Sequence, residues 1–241
     1  MITQRHLQGH WQREWIKAPG FEDHSTRVHW LQAGALFADL RIPLNRPKIA
    51  GVSCLADLPP KDLRRLMDAE GFAGHISVKD DKCTWHREIN WHGLPGQADI
   101  GLMSFDADGG LIEDGVLAEY RELWQAVPGS VVCGSKLSGG SMTGFLIEND
   151  TTFLLAVGPP PAGTREDLIV ALDSGQAQHP ALAAHFDSVY ILGQWDGDQG
   201  IGILASNPFY EGQVVLERGA TLIWRIIAFD GSRTAASLQV I

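Results

Sequence analysis

Histidine, carboxylate, serine and cysteine are the groups with which this chain could do chemistry, so their spacing comes first. Among nine histidines, His6 and His10 stand four apart, and His86 and His92 stand six apart on one face of an expected strand. A mononuclear metal site needs three or four converging ligands, and no HExxH, nor HxH with a downstream carboxylate, supplies them. These histidines read as surface or hydrogen-bonded groups, and no metal or cofactor is expected. Ser138-Gly-Gly-Ser141 offers hydroxyls outside any GxSxG elbow. The surrounding Gly134–Ser141 has the wrong spacing for a phosphate loop and reads as a hairpin loop. Glu113-Asp114 and Glu119/Glu122 are paired carboxylates, but acid/base work needs two such groups held about 5–9 Å apart across a cleft. They read as acidic residues of hairpin loops. Cys54, Cys83 and Cys133 are odd in number and far apart, which excludes a disulfide framework or a zinc ribbon and leaves reduced, packed thiols.

The segment Thr84-Trp-His-Arg-Glu-Ile-Asn-Trp91 says more. As a strand it points Trp85, Arg87, Ile89 and Trp91 one way, and His86, Glu88, Asn90 and His92 the other. The first face is the more apolar and is expected to look inward. That sets the charge of Arg87 among two tryptophans, which is costly unless it meets an anion. The same alternation groups Tyr120, Glu122 and Trp124, and also Val28, Trp30 and Gln32. Aromatic rings with one or two polar groups among them describe a small-ligand cavity in a barrel. The alternative is a packed core in which Glu122 neutralises Arg87 and the tryptophans fill volume. On Leu36–Ile42 the face Leu36, Ala38, Leu40, Ile42 is wholly apolar. Asp39 and Arg41 are therefore expected to face solvent or a domain interface. Val189–Trp195 is apolar on both faces, which suits a strand covered on both sides.

The elements that must position these groups are mostly strands. Short β-branched and aromatic stretches recur every 8–12 residues between Gly, Pro, Asn and Asp, the pattern of barrels and sandwiches. The clearest helix is Pro59–Glu70, with proline at its start, Leu63, Leu66 and Met67 on one face and Gly71 available as a left-handed C-terminal residue. Thr164–Leu172 reads as helix or buried strand, with Thr164 and Asp167 resembling a capping box, and Pro180–Phe186 as a short helix. Pro128-Gly129 separates two strand series. This divides the chain into 1–128, carrying the helix near 59–70, and 129–241, each the size of an eight-to-ten-stranded barrel.

The 241 residues carry 19 Lys+Arg against 29 Asp+Glu, a net charge of −10, and 44% are hydrophobic. This is ordinary globular composition without the basic patch that nucleic acid or anionic membranes require. No apolar run approaches the roughly 20 residues of a membrane span. The first residues lack the apolar stretch of a signal peptide. A soluble, cytoplasmic protein is expected.

Trp30-Leu31 followed by Ala38-Asp-Leu-Arg-Ile-Pro43, then Thr84-Trp85, Tyr120-Arg-Glu-Leu-Trp-Gln125 and Val189-Tyr-Ile-Leu-Gly-Gln-Trp195, order most of the chain. In these segments it resembles the two-barrel, lipocalin-like proteins whose yeast member was named for interacting with a casein kinase. The resemblance implies an all-β fold of two consecutive antiparallel lipocalin-like β-barrels, with one or two short helices, and no established enzymatic activity. The helix Pro59–Glu70 looks like an addition to the yeast pattern, and the kinase partner does not carry over. The expected function is a non-enzymatic barrel that binds a small, partly apolar, anionic ligand through Trp30, Trp85, Arg87, Trp91, Tyr120, Glu122 and Trp124, with no catalytic residues. One alternative is a protein-interaction adaptor with side-chain-filled barrels and an unidentified partner. A lesser one is an isomerase or hydrolase using Glu122 or His86 as base.

Overall fold

The computed structural model describes residues 1–93, 95–140, 142–160 and 165–241. Ser141 of the serine pair and Thr164 of the expected capping box lie outside them. The first strand series comprises β1 (Gly9–Ala18), β2 (Phe21–Asp23), β3 (Arg27–Ala33), β4 (Leu36–Ile42), β5 (Glu70–Lys79), β6 (Lys82–Asn90), β7 (Asp99–Phe105), β8 (Leu111–Gly115) and β9 (Arg121–Val127). The second comprises β10 (Cys133–Gly139), β11 (Met142–Glu148), β12 (Thr152–Gly158), β13 (Val189–Asp196), β14 (Gln199–Ala205), β15 (Val214–Glu217), β16 (Leu222–Ile227) and β17 (Arg233–Val240).

Each series pairs antiparallel and closes on itself, so no long strand edge is left open. In the first, β3 to β9 follow one another and β9 returns to β1 from His10↔Val127 to Lys17↔Arg121. The short β2 hangs on the end of β1. In the second, β10 to β17 follow in order and close through Leu137↔Val240 and Ser138↔Gln239. The expectation of two consecutive antiparallel barrels is therefore met. Gly134–Gly139, expected as a hairpin loop, is part of strand β10. Its residues pair with β11 from Gly134↔Ile147 onward, and the turn sits at Gly140, where φ is +63°.

Among the described residues three short α-helices lie outside the barrels: α1 (Pro60–Leu66), α2 (Glu166–Asp173) and α3 (His179–Phe186). The expected helix Pro59–Glu70 is shorter than its pattern, because Met67 caps it and Glu70 already belongs to β5. Gly71 does not end the helix. It lies in β5 beneath the ring of Tyr190 from β13, and a Cβ there would sit 2.3 Å from the Tyr190 Cγ.

Apolar side chains gather in three places. One cluster, including Trp30, Phe37, Phe72, Trp85 and Trp124, fills the first barrel. A second, including Phe153, Ile191, Tyr210 and Trp224, fills the other. A third joins the outward faces of β3, β4 and β6 to those of β11, β12 and β13, under all three helices. The strand β13 is thus covered on both sides, with Val189 and Ile191 in its own barrel and Tyr190 and Leu192 between the barrels.

Candidate functional site

Inside the first barrel the tryptophans meet as the alternation of their strands requires. Trp30 makes edge contacts with Trp85 at 5.6 Å and with Trp124 at 5.7 Å. Between and below them lie paired charges. Arg13 donates to Glu122 at 2.7 Å and to Asp23 at 3.3 Å. Arg41 pairs with Asp39 at 2.9 Å and lies 3.6 Å from Glu122. The Tyr120 hydroxyl donates to Glu113 at 2.7 Å. Burial pushes the Asp39 carboxyl up to about 6 against the pull of Arg41. Burial, then Glu122, holds Glu113 well above the usual carboxylate range. The void bordered by Trp30, Asp39, Arg41, Phe72, Trp85, Asp99, Glu113 and Trp124 measures about 10 Å³, roughly one water molecule. Side chains fill this part of the interior, where a ligand cavity would need about 300 Å³ or more.

Three expectations change here. Asp39 and Arg41 face neither solvent nor an interface: they point into the first barrel, while Ala38, Leu40 and Ile42 of the opposite face pack against the second. The wholly apolar face goes to the larger dry contact, and the charged one is tolerated inside because its charges are paired. Glu122 does not neutralise Arg87. It binds Arg13, and Arg87 pairs with Asp99 at 2.5 Å. Trp85 and Trp91 do not share a face either. The register against β5 shifts between Ala73↔Ile89 and Gly74↔Arg87, leaving Glu88 as the extra residue of a β-bulge. One inserted residue reverses the alternation. Trp85 therefore stays in the first barrel, while Ile89 and Trp91 turn outward into the core between the barrels.

The histidine pairs do not come together. His6 bonds to Thr3 and His10 to His29. His86 stacks on His75 at the surface, and His92 contacts the Ala69 carbonyl. Among the described residues no three metal-ligating groups converge.

The bulge places Arg87 at the rim of the first barrel and Trp91 just beyond it. The Arg87 guanidinium lies 3.6 Å over the ring of Phe72, and its Nε is buried with no partner among the described residues. From this rim a two-lobed cleft runs between the β6–β7 side of the first barrel and helices α2 and α3. Its polar lobe, about 450 Å³, is bordered by Arg87, Asn90, His92, Gln97, Asp99 and Arg165. The more apolar lobe, about 590 Å³, is bordered by Trp91, Pro159, Pro160, Leu168, Ala181 and His185. Asn90 and Arg165 border both lobes.

The charges of the cleft are unevenly paired. Arg87 is held by Asp99, whereas Arg165 donates to the Met67 carbonyl and has no carboxylate at ion-pair distance among the described residues. Burial, which would raise the Glu70 carboxyl, is outweighed there by Arg41, His92, Arg87 and Arg165. His185 packs edge-on to Trp91 at 4.3 Å, and burial, then Arg165 and His92, lowers it to about 3, so it is neutral. Trp91 Nε1 and His185 Nε2 are buried without partners among the described residues. Such a surface offers apolar area, one indole and one imidazole nitrogen, and a guanidinium without an ion-pair partner among the described residues, with Glu166 and Asp167 also at its border.

Of the seven expected ligand residues, Arg87 and Trp91 border this cleft. Trp30, Trp85, Tyr120, Glu122 and Trp124 belong to the packed interior. Sequence reading missed Arg165, Leu168 and His185. They stand on or beside segments whose helical character was visible, but a cleft made where helices meet a distant strand segment leaves no periodicity of its own.

No protein-family model and no curated protein matches the sequence. Among solved structures the chain is similar to the crystal structure of an uncharacterized protein from the yeast Saccharomyces cerevisiae, with 12% identity and a TM-score of 0.55, over 96% of this chain and 97% of that one. At that identity the likeness concerns the fold alone, and the two chains share it over nearly their whole lengths.

Proposed function

We propose that the protein is a binding module that takes a small, partly apolar, anionic molecule in the cleft between its first barrel and helices α2 and α3. The observation that carries this reading is Arg165: a half-buried guanidinium, bordering both lobes, with no carboxylate at ion-pair distance among the described residues. A cation drawn partly out of water is stabilised by an anion brought to it, and guanidinium favours carboxylate or sulfonate geometry. The apolar body of the ligand would lie against Trp91, Leu168 and Ala181, where its burial contributes about 25 cal/mol per Å². Binding fits better than catalysis because the strongly perturbed carboxyls Asp39 and Glu113 are sealed inside the first barrel rather than in the cleft.

Sodium decanoate and anilinonaphthalene sulfonate are suitable probes, followed by calorimetry and fluorescence. Both are expected to bind saturably, with affinity falling about tenfold in Arg165→Gln, the loss of one charge-assisted hydrogen bond, and further in Leu168→Asp. Absence of saturable binding, or binding unchanged by both substitutions, would overturn the proposal.

A second reading rests on a different surface. Leu102, Val116 and Leu117 are exposed near the Asp99 end of β7, where the Val116 N–H bonds to the Ile100 carbonyl, and with the first barrel's interior nearly filled they suit a protein-contact role.

A further inference from the structure

We propose that Glu113 carries a proton where it faces Glu122 inside the first barrel, and that this proton makes the barrel responsive to pH. The two residues stand directly opposite each other in the β8–β9 register, where facing Cβ atoms are about 4.5–5.5 Å apart. Glu113 is 4% exposed and Glu122 1%. Gly101 on β7 makes the room: a Cβ there would lie 2.6 Å from the Glu113 Cγ.

The charges facing this pair come from every strand that carries one inward. Arg13 on β1 is committed to Glu122, Arg41 on β4 to Asp39, and Arg87 on β6 to Asp99 on β7. Glu70 on β5 lies toward the cleft, within the field of Arg41, His92, Arg87 and Arg165. Cys83 on β6 is a buried thiol, kept neutral by burial and by the acids beside it. Each of these three guanidinium groups is thus paired with a carboxylate other than Glu113, which feels Arg41 only at a distance. Glu113 has only the Tyr120 hydroxyl, which bonds one oxygen.

An ionised Glu113 would therefore be an unpaired buried charge facing a second carboxylate. Two carboxylates at one site do not both ionise near neutral pH. Across from it, Glu122 Oε2 is buried with no partner among the described residues. A proton on Glu113 removes the repulsion and gives that oxygen a donor. The folded pKa is raised above the unfolded one. Stability from this proton is full at acid pH and is lost as pH climbs toward the folded value.

The tests are infrared spectroscopy and denaturant unfolding between about pH 6 and pH 9. The folded protein should show the carbonyl band of a buried carboxylic acid at neutral pH, absent from Glu113→Gln. Between the unfolded and the folded pKa its folding constant should fall about tenfold per pH unit on account of this one proton, a slope missing from Glu113→Gln. Tyr120→Phe removes the hydrogen bond that favours ionised Glu113, so its acid band should persist to higher pH than in the parent. This arm holds whether or not Glu113→Gln folds. An acid band missing from the parent at neutral pH, one unchanged in Glu113→Gln, or one in Tyr120→Phe titrating as in the parent would each overturn the proposal.

Discussion

At Arg13 a guanidinium only 6% exposed is held between Glu122 at 2.7 Å and Asp23 at 3.3 Å. Its value to the fold lies in what its removal would strand, since a lone buried carboxylate costs far more than an intact pair contributes. Arg13→Met is expected to destabilise the protein by about 3 kcal/mol. Arg225→Met, which breaks the exposed pair with Glu217, should cost less than about 1 kcal/mol; urea unfolding of both checks the contrast. The inward direction of Trp30, Trp85 and Trp124 was legible, because period two fixes which residues on one strand share a face. The partner of Arg87 was not. Asp99 reaches it only because β7 pairs with β6 at Trp85↔Asp99, and an inter-strand register is written in neither strand alone.

Strand β6 shows how one element can serve two cores. Its first half sends Trp85 into the first barrel, the bulge at Glu88 reverses the alternation, and Ile89 with the following Trp91 reaches the space between the barrels. The bulge depends on Gly74 across the ladder, where a Cβ would lie 2.0 Å from the His86 carbonyl oxygen and 2.9 Å from the Glu88 nitrogen. Backbone atoms on both sides cannot move aside cheaply. Gly74→Ala should therefore cost more than about 2 kcal/mol. Gly219→Ala, whose Cβ would meet nothing nearer than 3.7 Å, should stay within about 0.5 kcal/mol. Equal denaturation midpoints for the two would refute this role for Gly74. The segment reads as a strand from its sequence, but nothing in Trp-His-Arg-Glu-Ile-Asn-Trp marks where the alternation breaks. The break is imposed by the neighbouring strand.

Across the whole molecule the two barrels are joined by a dry core, and Gly71 beneath Tyr190 is a point of close approach within it. Gly71→Ala should be destabilising by about 1–3 kcal/mol through overpacking. The penalty should shrink in a Tyr190→Leu background, because the two residues touch and their effects are then non-additive. A double-mutant cycle with no coupling would place the strain elsewhere. What the sequence determined by itself was the class of fold: strand-length apolar stretches at regular spacing, punctuated by turn residues, leave antiparallel β as the way to pair the backbone, and the break at Pro128-Gly129 precedes a second series. It also marked the one clear helix and the strand β13, apolar on both faces. Only the tertiary structure decided which face of each strand looks into a barrel and which into the other barrel. On β4 alternation separates Asp39 and Arg41 from Ala38, Leu40 and Ile42 but does not say which set is inside. That choice depends on where apolar area can be buried against a partner and where charges can be paired, and both are properties of strands far apart in the chain.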